Sequence, residues 1–139
     1  MQRACSSCGT VNRIPPRHLA HQGKCGSCKA TMPPNSRPVD VQSAAEFDAL
    51  LATVDEPVMV DFYADWCGPC RAAAPHVQSL AKEMAGAVVV LKVNTDRVPD
   101  VAARYNIRSI PTFMVFHHGQ KLVQHAGMAD QDTMAGWLQ

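Results

Sequence analysis

Runs of apolar residues recur along most of the chain and predict the strands of an α/β domain. Two of them, PVMVDFYA (57–64) and AVVVLKVN (87–94), are almost uninterrupted, which is typical of strands buried on both faces. TFMVF (112–116) and KLVQHA (121–126) flank the turn HHGQ and therefore predict a hairpin. VDV (39–41) predicts one further short strand.

The segments between these runs predict four helices, over about residues 43–51, 67–84, 98–105 and 130–138. Ser43 and Glu46 are spaced as a capping box at the start of the first helix, and Pro75 should kink the second. The order of elements is β-α-β-α-β-α-β-β-α, with parallel crossovers first and an antiparallel hairpin last. This order predicts a three-layer α/β domain with a mixed central sheet.

The first 38 residues differ from the rest in composition and charge, which predicts two parts with different roles. The segment MPPNSRP contains three prolines and indicates a linker over residues 32–38. We therefore expect a small module over residues 1–31 and a main domain over residues 39–139. Residues 1–38 carry a net charge of +6 and no acidic residue, whereas the remainder carries −5.

Export and membrane insertion are not expected for this sequence. The start, MQRACSSCGT, lacks the apolar core of a signal peptide, and the longest apolar run, AGAVVVL, is far too short to cross a bilayer. We expect a cytoplasmic protein with no membrane partner. All six cysteines fall into C-x-x-C pairs, which in a reducing compartment indicates metal or redox chemistry rather than a disulfide framework.

The pair in WCGPC lies where a buried strand passes into a helix. A thiol at a helix N-terminus has its thiolate stabilised by free backbone N–H groups, so its pKa should be lowered. Cys67 and Cys70 are within disulfide reach, and Gly68 and Pro69 keep the turn between them tight. We expect Cys67 to be exposed and Cys70 to be more buried. A zinc knuckle or two inert core thiols are the alternatives.

Two further features favour redox chemistry at this junction. Asp61 stands in the middle of the apolar run VMVDFYA, and burial would raise the pKa of its carboxyl into a range suited to proton exchange with a thiol. A structural pairing of Asp61 with Lys92 on the neighbouring strand is also compatible with this pattern. Ile110-Pro111, directly before a strand, predicts a cis-proline turn that would be available to face the cysteines.

Residues 39–139 resemble the thioredoxin family throughout. The matching features are WCGPC (66–70), the aspartate of VDF (60–62), Lys92, the helix proline Pro75, the cis-proline loop IPT (110–112) and Gly127. The combination is far more specific than any single feature. Tyr63 departs from the family where a tryptophan is common, and Ser109 departs where a glycine is common.

This resemblance implies a thioredoxin fold and a protein-disulfide reductase that works by dithiol exchange. Cys67 would attack the substrate disulfide, Cys70 would release the reduced product, and Asp61 would take the proton of Cys70. The substrate-binding rim would consist of Trp66, Gly68, Pro69, Ile110, Pro111 and Gly127. The implied partners are disulfide-bearing proteins and a thioredoxin reductase, with no organic cofactor, and we expect a monomer. An oxidase or isomerase of the same fold is the alternative activity.

The other two pairs have the spacing of a zinc site. Cys5 and Cys8 precede Cys25 and Cys28 by sixteen intervening residues, which falls within the pattern for a tetrathiolate zinc ribbon. Gly9 suits the tight turn of a zinc knuckle, and metal binding would supply folding energy to a module with little apolar sequence. Two disulfides, or iron in place of zinc, are the alternatives. His18 and His21 are expected to be solvated loop residues rather than ligands.

An N-terminal ribbon with NRIP (12–15) and KCGSCK (24–29) also resembles the bacterial thioredoxins that carry such a module. Residues 1–38 contain no Phe, Tyr or Trp to stack on bases, which argues against nucleic-acid binding. We expect a docking surface for acidic partners or a redox-sensitive clamp that modulates the reductase. A zinc-dependent binding module on an inert scaffold is the remaining alternative.

Overall fold

The computed structural model describes residues 1–138. Its strands are β1 (Gln2–Ala4), β2 (Val11–Arg13), β3 (Gly23–Lys24), β4 (Thr31–Met32), β5 (Val39–Asp40), β6 (Val58–Tyr63), β7 (Val89–Asn94), β8 (Thr112–His117) and β9 (Gln120–Ala126). Its helices are α1 (Ala44–Thr53), α2 (Gly68–Glu83), α3 (Pro99–Arg104) and α4 (Gln131–Trp137), with a 3₁₀ turn at Pro16–His18.

The last five strands form one mixed sheet, as the sequence predicts, and their order in the sheet is β5-β7-β6-β8-β9. Strands β5, β7 and β6 are parallel, whereas β8 is antiparallel to both β6 and β9. Every residue of β6 is buried, because this strand lies at the centre of the sheet with helices on both faces. Its carboxyl end leads directly to the WCGPC segment.

Side chains from β6 alternate between two cores on opposite faces of the sheet. Val60 and Phe62 pack with α1 residues such as Phe47, whereas Met59 packs with α2 residues such as Val77. Successive side chains of a strand point to opposite faces, so Asp61 lies on the same face as Met59. This is the face that α2 covers. The fold therefore places a carboxyl group beneath the helix that begins at the cysteine pair.

The predicted local signals are present, with one variation. The Ser43 hydroxyl accepts the Glu46 backbone N–H at 3.1 Å, as expected for an N-cap. The Glu46 carboxylate, however, accepts the backbone N–H of Gln42 at 3.3 Å instead of that of Ser43. The hairpin turn at His118 and Gly119 has φ angles of +51° and +78°, the pattern of a type I′ turn.

The N-terminal module consists of two short antiparallel hairpins, β1-β2 and β3-β4, which the apolar pattern did not predict. Each strand has only two or three residues, so no periodicity develops. Strand β4 ends at Met32, one residue into the predicted linker. The buried side chains of Leu19 and Met32 belong to the same apolar cluster as Phe47 and Leu50 of α1. The module thus completes its core against the α/β domain. Within residues 1–138, no helix is both long enough and apolar enough to span a bilayer.

Candidate active site and metal centre

The cysteines of WCGPC form a disulfide at the start of α2. Cys67 is the N-cap residue of this helix, and its sulfur accepts the backbone N–H of Cys70 at 3.2 Å. The two residues are bonded as Cys67–Cys70, with their Cα atoms 5.2 Å apart. A sulfur that accepts a helix N-terminal amide is in a position that stabilises negative charge once the disulfide is reduced.

Both sulfur-bearing residues are nearly buried in this disulfide form. Cys67 is 4% exposed and Cys70 is 5% exposed, so the expected contrast between an exposed and a buried cysteine is absent. The Cys67 sulfur lies 3.7 Å from the backbone oxygen of Ile110, which covers it from the side of the cis-proline loop. The prediction of an exposed Cys67 was wrong because it used only the positions of the cysteines in the helix and ignored the cover that the Ile110 loop provides.

The expected rim residues lie around the start of α2 and in the two loops that flank β8 and β9. The Ile110-Pro111 peptide bond is cis, and the Pro111 backbone oxygen accepts the N–H of Gly127 at 2.8 Å. Gly127 has φ of +102°, a conformation that favours glycine. Trp66 is 67% exposed, while Gly68 and Pro69 form the exposed first turn of α2.

Two residues near this rim were missed by the sequence reasoning. Met128 follows Gly127 and is one of the few large apolar side chains exposed to solvent. The Asp96 carboxylate accepts the indole N–H of Trp66 at 3.0 Å and so restrains that exposed ring. An apolar residue directly after the loop glycine was an available signal for Met128. The Asp96 contact spans 30 residues and depends on the turn that follows β7.

Asp61 is buried beneath the disulfide-bearing helix and is 2% exposed. Burial raises the pKa of its carboxyl to about 7, with Lys92 opposing the rise and Asp40 adding to it. Among the residues that the structure describes, Oδ1 of Asp61 has no hydrogen-bond partner. A carboxyl with this pKa exchanges protons readily at neutral pH.

Lys92 is the register partner of Asp61 but does not form an ion pair with it in the described part of the chain. Its ammonium instead lies over the ring of Tyr63, 4.2 Å from the ring centre. The Tyr63 hydroxyl donates to the carboxylate of Asp40 at 2.6 Å. Tyr63, one of the two departures from the family pattern, therefore contacts both of the charged neighbours of Asp61.

The four remaining cysteines converge at the other end of the chain. The sulfurs of Cys5, Cys8, Cys25 and Cys28 all lie within 4.8 Å of one another. The Cys5–Cys28 and Cys8–Cys25 sulfur pairs are each 3.6 Å apart. A tetrahedral metal with bonds of about 2.3 Å to sulfur requires sulfurs about 3.8 Å apart, so the cluster fits zinc closely.

Each pair of ligands is presented by a knuckle of the same design. The Cys5 oxygen accepts the N–H of Gly9 at 2.8 Å, and the Cys25 oxygen accepts the N–H of Lys29 at 3.0 Å. Gly9 and Lys29 have φ of +78° and +64°, so both knuckles require a left-handed residue after the second cysteine. The side-chain oxygen of Asn12 accepts the Gly26 N–H at 2.9 Å and links the two hairpins.

The charge of the cluster also suits a cation. The backbone N–H of Cys28, followed by the side-chain amide of Asn12, lowers the pKa of Cys25 to about 6. The Ala30 backbone N–H would lower the pKa of Cys28, but the neighbouring sulfurs of Cys8 and Cys5 raise it to about 11. Four sulfurs this close repel one another as thiolates unless a cation lies among them.

The two histidines of the module lie outside the cysteine cluster. Their Nδ1 atoms are 3.1 Å apart, and Nε2 of His21 lies 3.1 Å from the carboxylate of Glu56. His18 is exposed as expected, whereas His21 is half-buried between the module and the α/β domain. His21 is thus an interdomain contact residue and not simply a solvated loop residue.

Comparison with known proteins agrees with this geometry over both parts of the chain. Residues 38–139 match the family model described as Thioredoxin, and residues 4–30 match the one described as Thioredoxin 2, N-terminal. Thioredoxin C-3 of Corynebacterium nephridii is 34% identical over 134 residues, which cover 96% of this chain and 90% of that protein. Thioredoxin 1 of Nostoc sp. is 49% identical over 85 residues, covering 61% of this chain and 79% of that protein.

Solved structures agree over the α/β part. A mutant thioredoxin from Halobacterium salinarum has a TM-score of 0.68 at 33% identity, covering 74% of this chain and 88% of that one. Thioredoxin of Plasmodium falciparum has a TM-score of 0.66 at 36% identity, covering 71% of this chain and 95% of that one. With the Cys67–Cys70 disulfide at the start of α2, these matches show that the chain belongs to the thioredoxin family and is a thiol–disulfide oxidoreductase of the disulfide-reductase type.

Proposed function

We propose that the chain reduces disulfides of substrate proteins through Cys67 as nucleophile and Cys70 as resolving thiol. The observation that carries this assignment is the position of Cys67 as N-cap of α2, where its sulfur accepts a backbone N–H. The reduced Cys67 thiolate attacks a substrate disulfide and forms a mixed disulfide. Cys70 then attacks Cys67, which restores the intramolecular disulfide and releases the reduced substrate.

In this reaction Asp61 serves as the proton acceptor for Cys70. Its raised pKa, close to neutrality, makes it a suitable partner for a thiol that must lose a proton before it attacks. The rim of Trp66, Gly68, Pro69, Ile110, Pro111 and Gly127 receives the substrate segment. The backbone of Ile110 is available for strand addition to an extended peptide.

The cluster of Cys5, Cys8, Cys25 and Cys28 holds one structural zinc ion in this proposal. Zinc would supply a cross-link between the two hairpins and neutralise much of the thiolate charge. The module then occupies residues 1–31, residues 32–38 are the linker, and the thioredoxin domain spans residues 39–139. The basic surface of the N-terminal module serves as a docking site for acidic partners, or the module acts as a redox-sensitive clamp that modulates the reductase.

Turnover requires an external reductant, because each cycle leaves Cys67 and Cys70 oxidised. We assign this role to an NADPH-linked thioredoxin reductase in the cytoplasm, acting on a monomer that binds no nucleic acid. Insulin reduction coupled to NADPH consumption tests this assignment directly. The full chain should support sustained NADPH oxidation only when both insulin and the reductase are present.

Two serine variants test the roles of the cysteines. Cys70→Ser should accumulate a mixed disulfide with substrate, because the resolving thiol is gone while the nucleophile remains. Cys67→Ser should neither reduce insulin nor trap substrate. Mass spectrometry of the non-reduced adducts distinguishes the two variants. They are matched controls for each other, because each replaces one cysteine sulfur by oxygen, at position 67 or at position 70. Insulin reduction by Cys67→Ser at the wild-type rate would refute the assignment.

A further inference from the structure

Three side chains of alternating charge lie in a row across the sheet beneath α2. The strand register places Asp40 on β5 opposite Lys92 on β7, and Lys92 opposite Asp61 on β6. Neighbouring strands are about 5 Å apart, so each carboxylate is within reach of the lysine. Lys92 is therefore flanked by two carboxylates, of which only Asp61 has a role in the proposed reaction.

Tyr63 contacts both Asp40 and Lys92. Its hydroxyl donates to Oδ1 of Asp40 at 2.6 Å, a short bond to a charged acceptor. The Lys92 ammonium lies 4.2 Å from the centre of the same ring. Asp40, Tyr63 and Lys92 thus form one connected group, and within residues 1–138 Lys92 forms no ion pair with Asp61.

We propose that Asp40 and Tyr63 are positioning residues for the dithiol reaction, which hold the Lys92 ammonium at the Tyr63 ring and so keep it from pairing with Asp61. This inference rests on the proposed role of Asp61 as proton acceptor. An ammonium in direct contact would stabilise the Asp61 carboxylate and weaken it as a base. Tyr63 also packs in one buried cluster with Cys67 and Cys70, so the group lies beside the reacting cysteines.

Solvent reaches this group, so burial does not fix the lysine in place. A cleft of about 640 Å³ opens beside the row and is lined by Asp40 and Lys92 together with Arg37 and Lys82. Lys92 is half-buried and Asp40 is exposed, which leaves both side chains able to move if the tyrosine contact is lost. The charged groups that act on Asp61 are Lys92 of β7 and Asp40 of β5, and Tyr63 of β6 contacts both of them. Arg37 and Lys82 line the same cleft as Asp40 and Lys92, and Cys70 of α2 packs in one cluster with Tyr63. On β8 the residue opposite Asp61 is the apolar Phe113.

The step concerned is the resolution of the mixed disulfide. The proton of the Cys70 thiol passes to the Asp61 carboxylate, and the Cys70 sulfur bonds to the Cys67 sulfur. The bond between Cys67 and the substrate sulfur breaks, the substrate thiolate takes a proton from solvent, and Asp61 returns its proton to solvent. The substrate gains the two electrons that the Cys67 and Cys70 pair loses, so the atoms and electrons balance without another reactant.

A carboxyl-carbon NMR titration of Asp61 in the reduced full-length protein tests the inference. Asp40→Asn should lower the pKa of Asp61 by about one pH unit, because it removes a neighbouring negative charge and frees Lys92 to approach. Tyr63→Phe keeps the ring but removes the hydroxyl bond, so it should lower the pKa by less. In the Asp40→Asn background, Tyr63→Phe should have no further effect, since the two residues act as one unit.

Asp55→Asn is the matched control, because it removes the same charge from an exposed site before the opposite end of β6. It should leave the Asp61 titration unchanged. The acid limb of the pH–rate profile for mixed-disulfide resolution should shift downward in Asp40→Asn by the same amount as the titration. If Asp40→Asn fails to fold, the Tyr63→Phe titration decides the question alone.

Two results have distinct meanings. An Asp61 titration in Asp40→Asn or Tyr63→Phe that matches both wild type and Asp55→Asn would overturn the positioning role. An unchanged pH–rate profile in Asp61→Asn would instead overturn the proposed proton transfer, and the positioning role would fall with it.

Discussion

The carboxyl of Asp61 opposes folding at neutral pH because folding removes its charge from water. Its pKa is about 7 in the folded chain, compared with about 3.9 for an unfolded aspartate. Below about pH 4 the group is neutral in both states and contributes no charge penalty. As the pH rises from about 4 to 7 the folded state resists deprotonation, so the free energy of unfolding falls, and the penalty is complete above pH 7.

Asp61→Asn should therefore stabilise the protein at pH 8 by up to about 4 kcal/mol, and should reduce the loss of stability between pH 5 and pH 8. Urea unfolding of the oxidised proteins at both pH values measures this. Asp48→Asn is the control, because the hydrogen bond from Arg104 lowers the pKa of Asp48 and its titration lies below this window. Parallel pH dependences of Asp61→Asn and wild type would contradict the account.

The residue scale also shows what local sequence can predict. The roles expected for Cys67, Cys70 and Asp61 came from a short motif and from one polar residue in an apolar run. The contact of Tyr63 with Asp40 could not be predicted, because it crosses β7 and depends on which residues the sheet aligns. The burial of Cys67 likewise depends on the Ile110 loop, which lies 43 residues away in sequence.

At the scale of elements, the two knuckles show one backbone design with different residues at the same turn. Gly9 adopts φ of +78° without strain, whereas Lys29 adopts φ of +64° with a Cβ atom. A non-glycine residue in this conformation costs roughly 1 kcal/mol. The second hairpin therefore carries local strain that the first hairpin avoids.

Lys29→Gly should relieve this strain and slow the loss of metal to a chelator, while Gly9→Ala should introduce strain and accelerate it. The side chain of Lys29 also donates to the Gly26 oxygen at 3.0 Å, but this exposed bond should offset only part of the gain. Zinc release followed with a colorimetric chelator measures both variants. The prediction is wrong if the two variants change the release rate in the same direction.

Elements with long apolar runs were the easiest to predict from sequence. The strands β6, β7, β8 and β9 and the cap of α1 follow from periodicity and from the Ser43 signal. The strands of the ribbon were missed, because two or three residues cannot show a period. Their positions are set instead by the cysteines and by tertiary contacts such as the bond of Asn12 to Gly26.

At the scale of the whole molecule, the ribbon and the thioredoxin domain share one apolar cluster. Leu19 and Ala20 of the ribbon are buried in it together with Phe47 and Leu50 of α1. The linker is held to the ribbon as well, since the Asn35 N–H donates to the Leu19 oxygen at 2.9 Å. The two parts therefore stabilise each other through this cluster, a contact on which the predicted linker of residues 32–38 gave no information.

Leu19→Ala should loosen this docking, because it leaves a cavity where large-to-small changes cost about 2–5 kcal/mol. Trypsin should then cleave the ribbon faster, at sites such as Arg13 and Arg17, while insulin reduction stays near wild type. Val11→Ala is the matched control, since Val11 is 57% exposed on the same module. Equal cleavage rates for Leu19→Ala and Val11→Ala would show that the shared cluster does not hold the ribbon.

We propose that the six cysteines have two separate functions, in which Cys67 and Cys70 cycle between dithiol and disulfide and the other four hold a metal. A free-thiol titration of the reduced native protein, combined with metal analysis of the same sample, tests it most directly. We expect two reactive thiols, from Cys67 and Cys70, and one zinc ion per chain bound by the other four cysteines. Six reactive thiols and no bound metal would contradict it.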